Sequence, residues 1–161
     1  MGERRIVVQV GPQQLELWDG DERLAVYPVS TSARGTGERD GSEQTPRGRH
    51  RVCRKIGAGC PPRSVFVARE PTGEVCTPER FAADPERDWI LTRILWLDGQ
   101  EEGRNRGAGV DSRERFVYIH GTPDEASIGR PASHGCIRMR NDDVIELFDR
   151  VEVDTPVEIV E

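Results

Sequence analysis

The segment from Tyr118 to Arg140, YIHGTPDEASIGRPASHGCIRMR, brings together the residue types that covalent catalysis by cysteine requires. A thiolate nucleophile needs a base that takes its proton, and it needs backbone donors for the oxyanion that develops on the substrate. Cys136 is the candidate nucleophile, and His120 and His134 are the candidate bases. Gly135 lets the backbone approach a substrate closely, so the N–H groups of Gly135 and Cys136 are candidate oxyanion donors.

Two other interpretations of this segment are open on spacing alone. In the first, Cys136 is a buried strand residue and the histidines are hydrogen-bonded surface groups. In the second, His120, His134 and Cys136 are soft ligands of a metal ion. The metal interpretation is the weaker one, because the sequence has no second Cys or His pair at a regular spacing and lacks the His-x-Glu signature of zinc deaminases.

The order of these motifs resembles the active-site signature of the L,D-transpeptidase family, also called the YkuD-type catalytic domain. That signature is a His-Gly pair followed, about a dozen residues later, by Ser/Thr-His-Gly-Cys, a hydrophobic residue and Asn or Arg. The sequence has His120-Gly121-Thr122 and then Ser133-His134-Gly135-Cys136-Ile137-Arg138-Met139. Thr45-Pro46-Arg47-Gly48 is similar to the family's Thr-Pro-x-Gly turn. The resemblance covers essentially the whole chain and is weakest in residues 50–88.

The resemblance implies a role for each residue of the motifs. Cys136 would be the nucleophile that forms a thioester acyl-enzyme, and His120 would be the general base that activates it. The Gly121 carbonyl would orient His120 by accepting a hydrogen bond from its other ring nitrogen. His134 and the backbone amides of Gly135 and Cys136 would shape the oxyanion site. The implied catalytic set is Cys136, His120, His134, Gly135, Ser133 and Gly121, in which Ser133 supports the motif by hydrogen bonding.

Substrate contacts are expected from residues around the motifs. Arg138 replaces the Asn found in many members of the family, and a guanidinium suits bidentate pairing with a substrate carboxylate. Thr122 extends the His-Gly motif, and Tyr118 lies two residues before His120 on the same face of a strand. Arg93, on a strand that reads as buried, either pairs with an acid or projects into the cleft.

The implied reaction is acyl transfer on the tetrapeptide stems of peptidoglycan. The enzyme would attack the carbonyl at the L-centre of the diamino acid, release the terminal D-Ala, and pass the acyl group to an amine in a crosslink or a D-amino-acid exchange. Water as the acceptor would make the protein an L,D-carboxypeptidase, and a fold retained without turnover would make it a cell-wall peptide binding module. No metal or organic cofactor is implied, and carbapenem-type inhibitors are expected to acylate Cys136. The nearby imidazole is expected to lower the pKa of this thiol below the roughly 8.5 of a free cysteine.

Residue patterning predicts many short strands and an amphipathic helix. The helix covers 141–151, with Asn141 as its N-cap and apolar residues at i, i+3, i+4 and i+7. A short helix is also predicted after Thr77, with Pro78 as its first residue. The predicted strands are Arg5–Val10, Gln14–Trp18, Leu24–Val29, Arg49–Ile56, Ser64–Arg69, Trp89–Leu97, Arg115–His120 and Thr155–Val160.

These elements favour a mainly-β sandwich or barrel. The resemblance narrows this to a β-sandwich of mixed sheets with one short amphipathic helix at about 141–151. The chain has 161 residues, so residues 1–161 are predicted to form a single L,D-transpeptidase catalytic domain. The loop 98–114 is either a lid over the site or a solvated connection.

Charge and composition exclude several classes of partner. The formal net charge is −6 at pH 7, which argues against a general nucleic-acid-binding surface. No stretch approaches the length of apolar sequence that a membrane span needs, and we expect a monomer. No export signal precedes the first strand, so the expected compartment is the cytoplasm, or the periplasm or cell envelope if a signal was trimmed. All but Lys55 of the 23 basic residues are arginine; codon bias accounts for much of this excess, and part of it suits carboxylate recognition.

Outside the motifs, the remaining cysteines and the third histidine are expected to be structural. Cys53, Cys60 and Cys76 are interpreted as small buried residues, although the spacing of Cys53 and Cys60 allows a disulfide. His50 lies between arginines after a loop and is expected to be solvated.

Overall fold

The computed structural model describes residues 3–161, in which the strands form one ten-stranded sheet. The strands are β1 (Arg4–Gln9), β2 (Gln14–Asp19), β3 (Glu22–Ser30), β4 (Gly48–Ile56), β5 (Ser64–Val67), β6 (Glu70–Val75), β7 (Ile90–Gly99), β8 (Tyr118–Gly121), β9 (Ile137–Met139) and β10 (Pro156–Val160). The α-helices are α1 (Pro78–Ala83) and α2 (Asn141–Arg150), and a 3₁₀ turn covers Glu125–Ser127.

The sheet closes on itself through strand β7. The strand order is β4, β10, β1, β2, β3, β9, β8, β7, β5, β6, and β7 pairs additionally with β4. Because β7 is ten residues long, it pairs with β5 near its start, at Ile90 and Leu91, and with β4 from Ile94 onward. The predicted mainly-β fold is confirmed. The expected sandwich is replaced by one closed sheet, which is mixed because β1–β10 and β8–β9 are parallel pairs.

Helix α2 packs its apolar stripe into the largest core cluster of the described chain. Val144, Leu147 and Phe148 are buried there against side chains of the sheet, such as Ile119 and Ile137 from the strands that carry the motifs. The stripe predicted from the sequence is therefore confirmed. Truncating the fully buried Leu147 to alanine is expected to cost about 2–5 kcal/mol, through lost burial and a residual cavity.

The predicted cap of α2 is wrong, whereas the predicted start of α1 is confirmed. Arg140 occupies the N-cap position of α2 without a capping side-chain bond, and Asn141 is the first helical residue. The Asn141 N–H donates instead to the Glu125 carboxylate at 2.8 Å, so an acid from the preceding turn performs the capping. In α1, Thr77 caps by accepting from Arg80 N–H, and Pro78 is the first residue.

Three further differences separate the structure from the sequence expectations. Strand β6 is exposed throughout and contains a Pro-Thr-Gly sequence typical of turns, and β9 has three residues; neither was predicted. His50, expected in solvent, is buried. Its Nδ1 lies 3.0 Å from the Gly48 carbonyl and its Nε2 lies 2.8 Å from the Ser112 hydroxyl.

Within residues 3–161, no helix has the length and apolarity that crossing a membrane requires.

Candidate active site

The parallel pairing of β8 with β9 places the two motifs side by side. Ile119 pairs with Ile137 and His120 pairs with Arg138. Alternate residues of a strand share a face, so His120 and Cys136 project from the same face of this pair of strands, together with Tyr118 and Arg138. The sequence-predicted nucleophile and base are therefore brought together by the register of two strands.

Cys136 as a whole residue is half-buried, and two backbone groups hold its thiol. The Tyr118 N–H donates to Sγ at 3.3 Å, and the thiol donates to the Phe116 carbonyl at 3.4 Å. Both partners come from the segment that leads into β8, so this segment fixes the direction of the sulfur. Tyr118 thus contacts the candidate nucleophile through its backbone, a contact that the sequence did not predict.

The His120 ring is fixed in one tautomer. Its Nδ1 lies 2.6 Å from the Gly121 carbonyl, and a carbonyl can only accept a hydrogen bond, so Nδ1 carries the proton. The unprotonated Nε2 is therefore available as a base. His120 is 1% exposed, which also fixes the position of the ring.

Burial keeps both members of the pair neutral. It lowers the pKa of His120 to about 4 and raises the pKa of the Cys136 thiol to about 12. The Tyr118 N–H and the guanidinium groups of Arg138 and Arg115 favour the thiolate, but burial outweighs them. The expectation of a lowered thiol pKa is therefore wrong for the resting protein. The arrangement is a neutral thiol and a neutral imidazole on one face of the β8–β9 pair, which suits proton transfer during attack.

The Ser-His-Gly-Cys loop is braced by two hydroxyl groups. Ser133 Oγ donates to the Cys136 carbonyl at 2.6 Å and accepts from the Gly135 N–H at 3.2 Å. Thr45 Oγ1 donates to the Gly135 carbonyl at 3.0 Å. Gly135 has φ +131°, a conformation that side chains disfavour, so glycine is needed at this turn. In the resting structure the Gly135 N–H, which the sequence predicts as an oxyanion donor, is therefore bonded to Ser133 Oγ.

His134 and Arg138 meet an acid that the sequence analysis missed. Asp88 Oδ1 lies 3.4 Å from His134 Nδ1 and 3.5 Å from Arg138 Nη2. Arg138 is nearly buried, and its Nη1 donates to the Ala132 carbonyl at 3.3 Å. The Arg138 Nε is buried and has no hydrogen-bond partner among the described residues. His134, by contrast, is exposed at the mouth of the site.

A cleft opens over Cys136. One of its walls is formed by Asp88, His134 and Arg138, and the opposite wall carries two further arginines. The Arg69 guanidinium lies 4.8 Å from the Phe116 ring centroid and donates to the Tyr118 hydroxyl at 3.3 Å. Arg115 donates to the Gln44 carbonyl at 2.7 Å. No motif signals these side chains, because strands far apart in sequence bring them together. The cleft is lined by Ala68, Arg69, Asp88, Ile90, Arg115, Phe116, Tyr118, His134, Cys136 and Arg138.

The structure places the other expected substrate contacts differently. Thr122 lines an adjoining cleft that shares His134 and Arg138 with the first. Arg93 lies outside both clefts. It donates to the Thr92 carbonyl at 2.6 Å and lies 5.5 Å from the centroid of the Phe148 ring. Arg93 is therefore bonded to backbone carbonyls, has no acidic partner among residues 3–161 and does not line the Cys136 cleft. The loop 98–114 contributes no residue to the lining of either cleft.

All four cysteines are free thiols, so the disulfide that the spacing of Cys53 and Cys60 allowed is not formed. Among residues 3–161, no group of three His, Cys, Asp or Glu side chains is arranged to hold a metal ion. His120, His134 and Cys136 therefore do not have the geometry of the alternative metal site.

A cysteine and a histidine of fixed tautomer, placed on one face of a closed mixed sheet, form the arrangement of a cysteine-dependent acyl-transfer site. Residues 3–159 match the L,D-transpeptidase catalytic domain family, YkuD. The chain belongs to this family, which confirms the resemblance seen in its motifs.

Known proteins agree with this assignment. The chain is 54% identical over 155 residues to the YkuD protein of Bacillus licheniformis, covering 96% of this chain and 64% of that protein. It is 51% identical over 102 residues to the ErfK/SrfK protein of Salmonella typhimurium, covering 53% of this chain and 33% of that protein. The chain thus spans less than two thirds of the length of these relatives.

Among solved structures, L,D-transpeptidase 3 from Mycobacterium tuberculosis in complex with a faropenem-derived adduct superposes with a TM-score of 0.60. The sequence identity is 13%, and the match covers 99% of this chain and 61% of that chain. At this identity the likeness is one of fold.

Proposed function

We propose that this chain catalyses cysteine-dependent acyl transfer on the tetrapeptide stems of peptidoglycan, releasing the terminal D-Ala and passing the acyl group to an amine. The observation that carries the proposal is the joint placement of Cys136 and His120. The Cys136 thiol lies at a cleft. His120 projects from the same strand face, and its Nδ1 is bonded to the Gly121 carbonyl. Membership of the L,D-transpeptidase family supports the same reaction.

The first half of the reaction forms a thioester. His120 Nε2 accepts the thiol proton while Cys136 Sγ bonds to the carbonyl carbon at the L-centre of the diamino acid. The Cys136 N–H and His134 stabilise the oxyanion that results. Collapse of this intermediate breaks the C–N bond to D-Ala, which leaves as the free amino acid with the proton from His120.

The second half regenerates the thiol. An acceptor amine attacks the thioester carbonyl and loses a proton to His120. The tetrahedral intermediate then expels the sulfur and becomes the new amide, and the sulfur recovers the proton from the imidazole. Water in place of the amine gives the tripeptide, which is the carboxypeptidase outcome.

The cationic cleft favours a substrate that carries carboxylates. Arg69, Arg115 and Arg138 line it, although the whole chain carries a formal net charge of −6. A local concentration of guanidinium groups on an acidic protein attracts an anionic substrate to the cleft rather than to the surface at large. We expect Arg138 to bind a carboxylate of the substrate, and its nearly buried guanidinium in the cleft that holds Cys136 supports this role.

The test is incubation of the protein with a disaccharide-tetrapeptide, followed by mass spectrometry of the products. Crosslinked dimers with D-Ala release support transpeptidation, and added D-amino acid should be exchanged into the stem. Tripeptide alone would replace the proposal with the carboxypeptidase alternative. Cys136→Ala should abolish every product, whereas Cys60→Ala, at a half-buried cysteine outside the cleft, should retain them. Binding of the stem with no D-Ala release would indicate the binding module.

The same nucleophile should accept β-lactams, including carbapenem-type inhibitors. Attack of Cys136 on the strained β-lactam carbonyl opens the ring and leaves the whole molecule attached as a thioester. Intact-protein mass spectrometry should show an addition equal to the inhibitor mass in the wild-type protein and in Cys60→Ala. An addition that persists in Cys136→Ala would place the acylated group elsewhere.

A further inference from the structure

Strand β7 carries a bulge opposite the His120–Gly121 peptide. Leu91 pairs with Gly121 and Ile94 pairs with His120, so Thr92 and Arg93 are extra residues on β7. Thr92 has φ +78° and is fully buried. A β-branched residue is strongly disfavoured in this conformation, and such strain persists where the surrounding structure enforces it. The bulge therefore lies beside the residue whose carbonyl orients the base, as bulges next to active sites often do.

The Thr92 hydroxyl belongs to a buried polar network centred on Asn141. Thr92 Oγ1 accepts from the Arg63 N–H at 2.9 Å and donates to Asn141 Oδ1 at 2.5 Å. Asn141 Nδ2 donates to the Thr122 carbonyl at 2.9 Å and to Glu125 Oε2 at 2.8 Å. Asn141 is 3% exposed, and both ends of its amide are bonded. A network satisfied in this way holds its members in one arrangement.

This network encloses Gly121. A Cβ added to Gly121 would lie 2.5 Å from Asn141 Oδ1, 2.8 Å from the Leu91 carbonyl and 3.0 Å from Thr92 Oγ1. The backbone of Gly121 is therefore packed directly against the Asn141 amide and the Thr92 hydroxyl. Asn141 also binds the Thr122 carbonyl, so the Thr122–Pro123 peptide, one residue beyond the Gly121 carbonyl, is held as well.

Arg93 stabilises the bulge from its other side. Its Nη1 donates both to the Thr92 carbonyl at 2.6 Å and to the Cys60 carbonyl at 2.9 Å. The guanidinium thus satisfies a carbonyl that the bulge removes from the regular ladder. This accounts for an arginine on a buried strand, away from the cleft.

We propose that Asn141 is a positioning residue. Together with Thr92 and Glu125 it holds the Gly121 carbonyl in a fixed position, and the hydrogen bond to this carbonyl keeps His120 as the Nδ1–H tautomer. Asn141 acts through Gly121 and does not touch substrate. The kinetic consequence rests on the proposed function, whereas the effect on the imidazole tautomer does not.

The experiment compares variants by ¹⁵N NMR of the histidine rings at pH 7 and by the kinetics of D-Ala release. The His120 signals are identified by their loss in His120→Gln. In the wild-type protein they should show a single Nδ1–H tautomer. Asn141→Ala should show a mixture of tautomers, and kcat should fall on the order of 10- to 100-fold with little change in KM, because a base displaced by a fraction of an ångström transfers protons poorly.

Two further variants keep the test decisive if Asn141→Ala fails to fold. Glu125→Ala removes the acid that anchors Asn141 and lies at a partly exposed position, so it should mix the tautomers in a folded protein. Thr92→Ser keeps the hydroxyl and should keep the wild-type tautomer.

Asn105→Ala is the matched control. Asn105 is another fully buried asparagine, and it donates to the carbonyls of Arg47 and Arg49, away from Gly121. It should lower the melting temperature and leave both the tautomer and kcat unchanged.

A destabilised Asn141→Ala or Glu125→Ala with the wild-type tautomer and kcat would overturn the proposal and leave the network a structural role alone. Failure of the wild-type protein to release D-Ala would overturn the proposed function instead. In that event the tautomer comparison still decides the role of Asn141.

Discussion

The Thr45 hydroxyl donates to the Gly135 carbonyl at 3.0 Å, across 90 residues of sequence. It also accepts from the Ser32 N–H at 3.0 Å, and Thr45 is fully buried. One side chain therefore ties the segment that follows strand β3 and the turn before β4 to the loop that carries Cys136. The Thr-Pro-x-Gly turn, recognised in the sequence only as a resemblance, has a physical role in the site.

Thr45→Val should destabilise the protein and slow acylation of Cys136. The substitution keeps the shape of the side chain but leaves the Gly135 carbonyl and the Ser32 N–H buried without this partner, at a cost of about 1–3 kcal/mol. Urea unfolding measures the first effect, and the rate of β-lactam adduct formation measures the second. Thr45→Ser retains the hydroxyl and should lose far less stability and far less of the acylation rate. Equal stability of the Val and Ser variants would show that the hydroxyl is not the stabilising group.

The parts of the site that sequence reasoning found are local. His120, Ser133 and Cys136 belong to an ordered motif. The helix that follows them shows its apolar periodicity within a single continuous segment of sequence. Asp88, Arg69 and Arg115 were missed because no local pattern marks them. They reach the cleft only through the pairing of β7 with β5 and β8. The register between strands so far apart in sequence cannot be predicted from the residues of one segment alone.

Polar residues with two possible uses were the other source of error. Asn141 at the start of a helix favours an N-cap, but its side chain forms tertiary hydrogen bonds to Thr122 and Thr92. His50 between arginines suggests solvent, but strand alternation turns it inward toward Ser112. In both cases a partner distant in sequence competes with the local preference and wins.

Alkylation of Cys136 by iodoacetamide should still accelerate at about pH 9.5, above the roughly 8.5 of a free thiol. The reason is that burial raises the pKa of this thiol to about 12, so the resting protein holds little thiolate near neutrality. Peptide mass spectrometry separates Cys136 from the other three cysteines. The same protein in urea should titrate like a free thiol. A plateau with a midpoint at or below about 8.5 would show that a thiolate–imidazolium pair forms before substrate binds.

Arg138→Lys should reduce kcat/KM for a tetrapeptide stem by about 10- to 100-fold, the range expected when charge-assisted hydrogen bonds are lost. Lysine keeps the charge but not the planar fork that pairs with a carboxylate, and it loses the bond to the Ala132 carbonyl. The control is Arg130→Lys, at an exposed position that lines neither cleft. Steady-state assays of D-Ala release supply the values. Equal kinetics for the two variants would mean that Arg138 does not bind the substrate.

Acidification from about pH 6.5 to pH 4.5 should destabilise the fold through its buried histidines. Burial lowers the pKa of His50 to about 4, below the 6.5 of the unfolded state. As the pH falls through this window, the unfolded chain binds a proton that the folded protein refuses, so the free energy of unfolding decreases. Above about pH 6.5 the neutral His50 costs the folded protein no stability. The loss of unfolding free energy grows as the pH falls and is complete below about pH 4. His120 is shifted the same way, to about 4, and adds to the effect.

His50→Gln provides the test, because glutamine keeps polar atoms for Gly48 and Ser112 but does not titrate. Its unfolding free energy, from urea titrations at several pH values, should decline less steeply with acidification than that of the wild-type protein, whatever its value at neutral pH. The carboxylates are the same in both proteins, so their titration cancels from the comparison. Parallel pH profiles for the two proteins would show that His50 accepts a proton in the folded state as readily as in the unfolded chain, and that its burial carries no electrostatic cost.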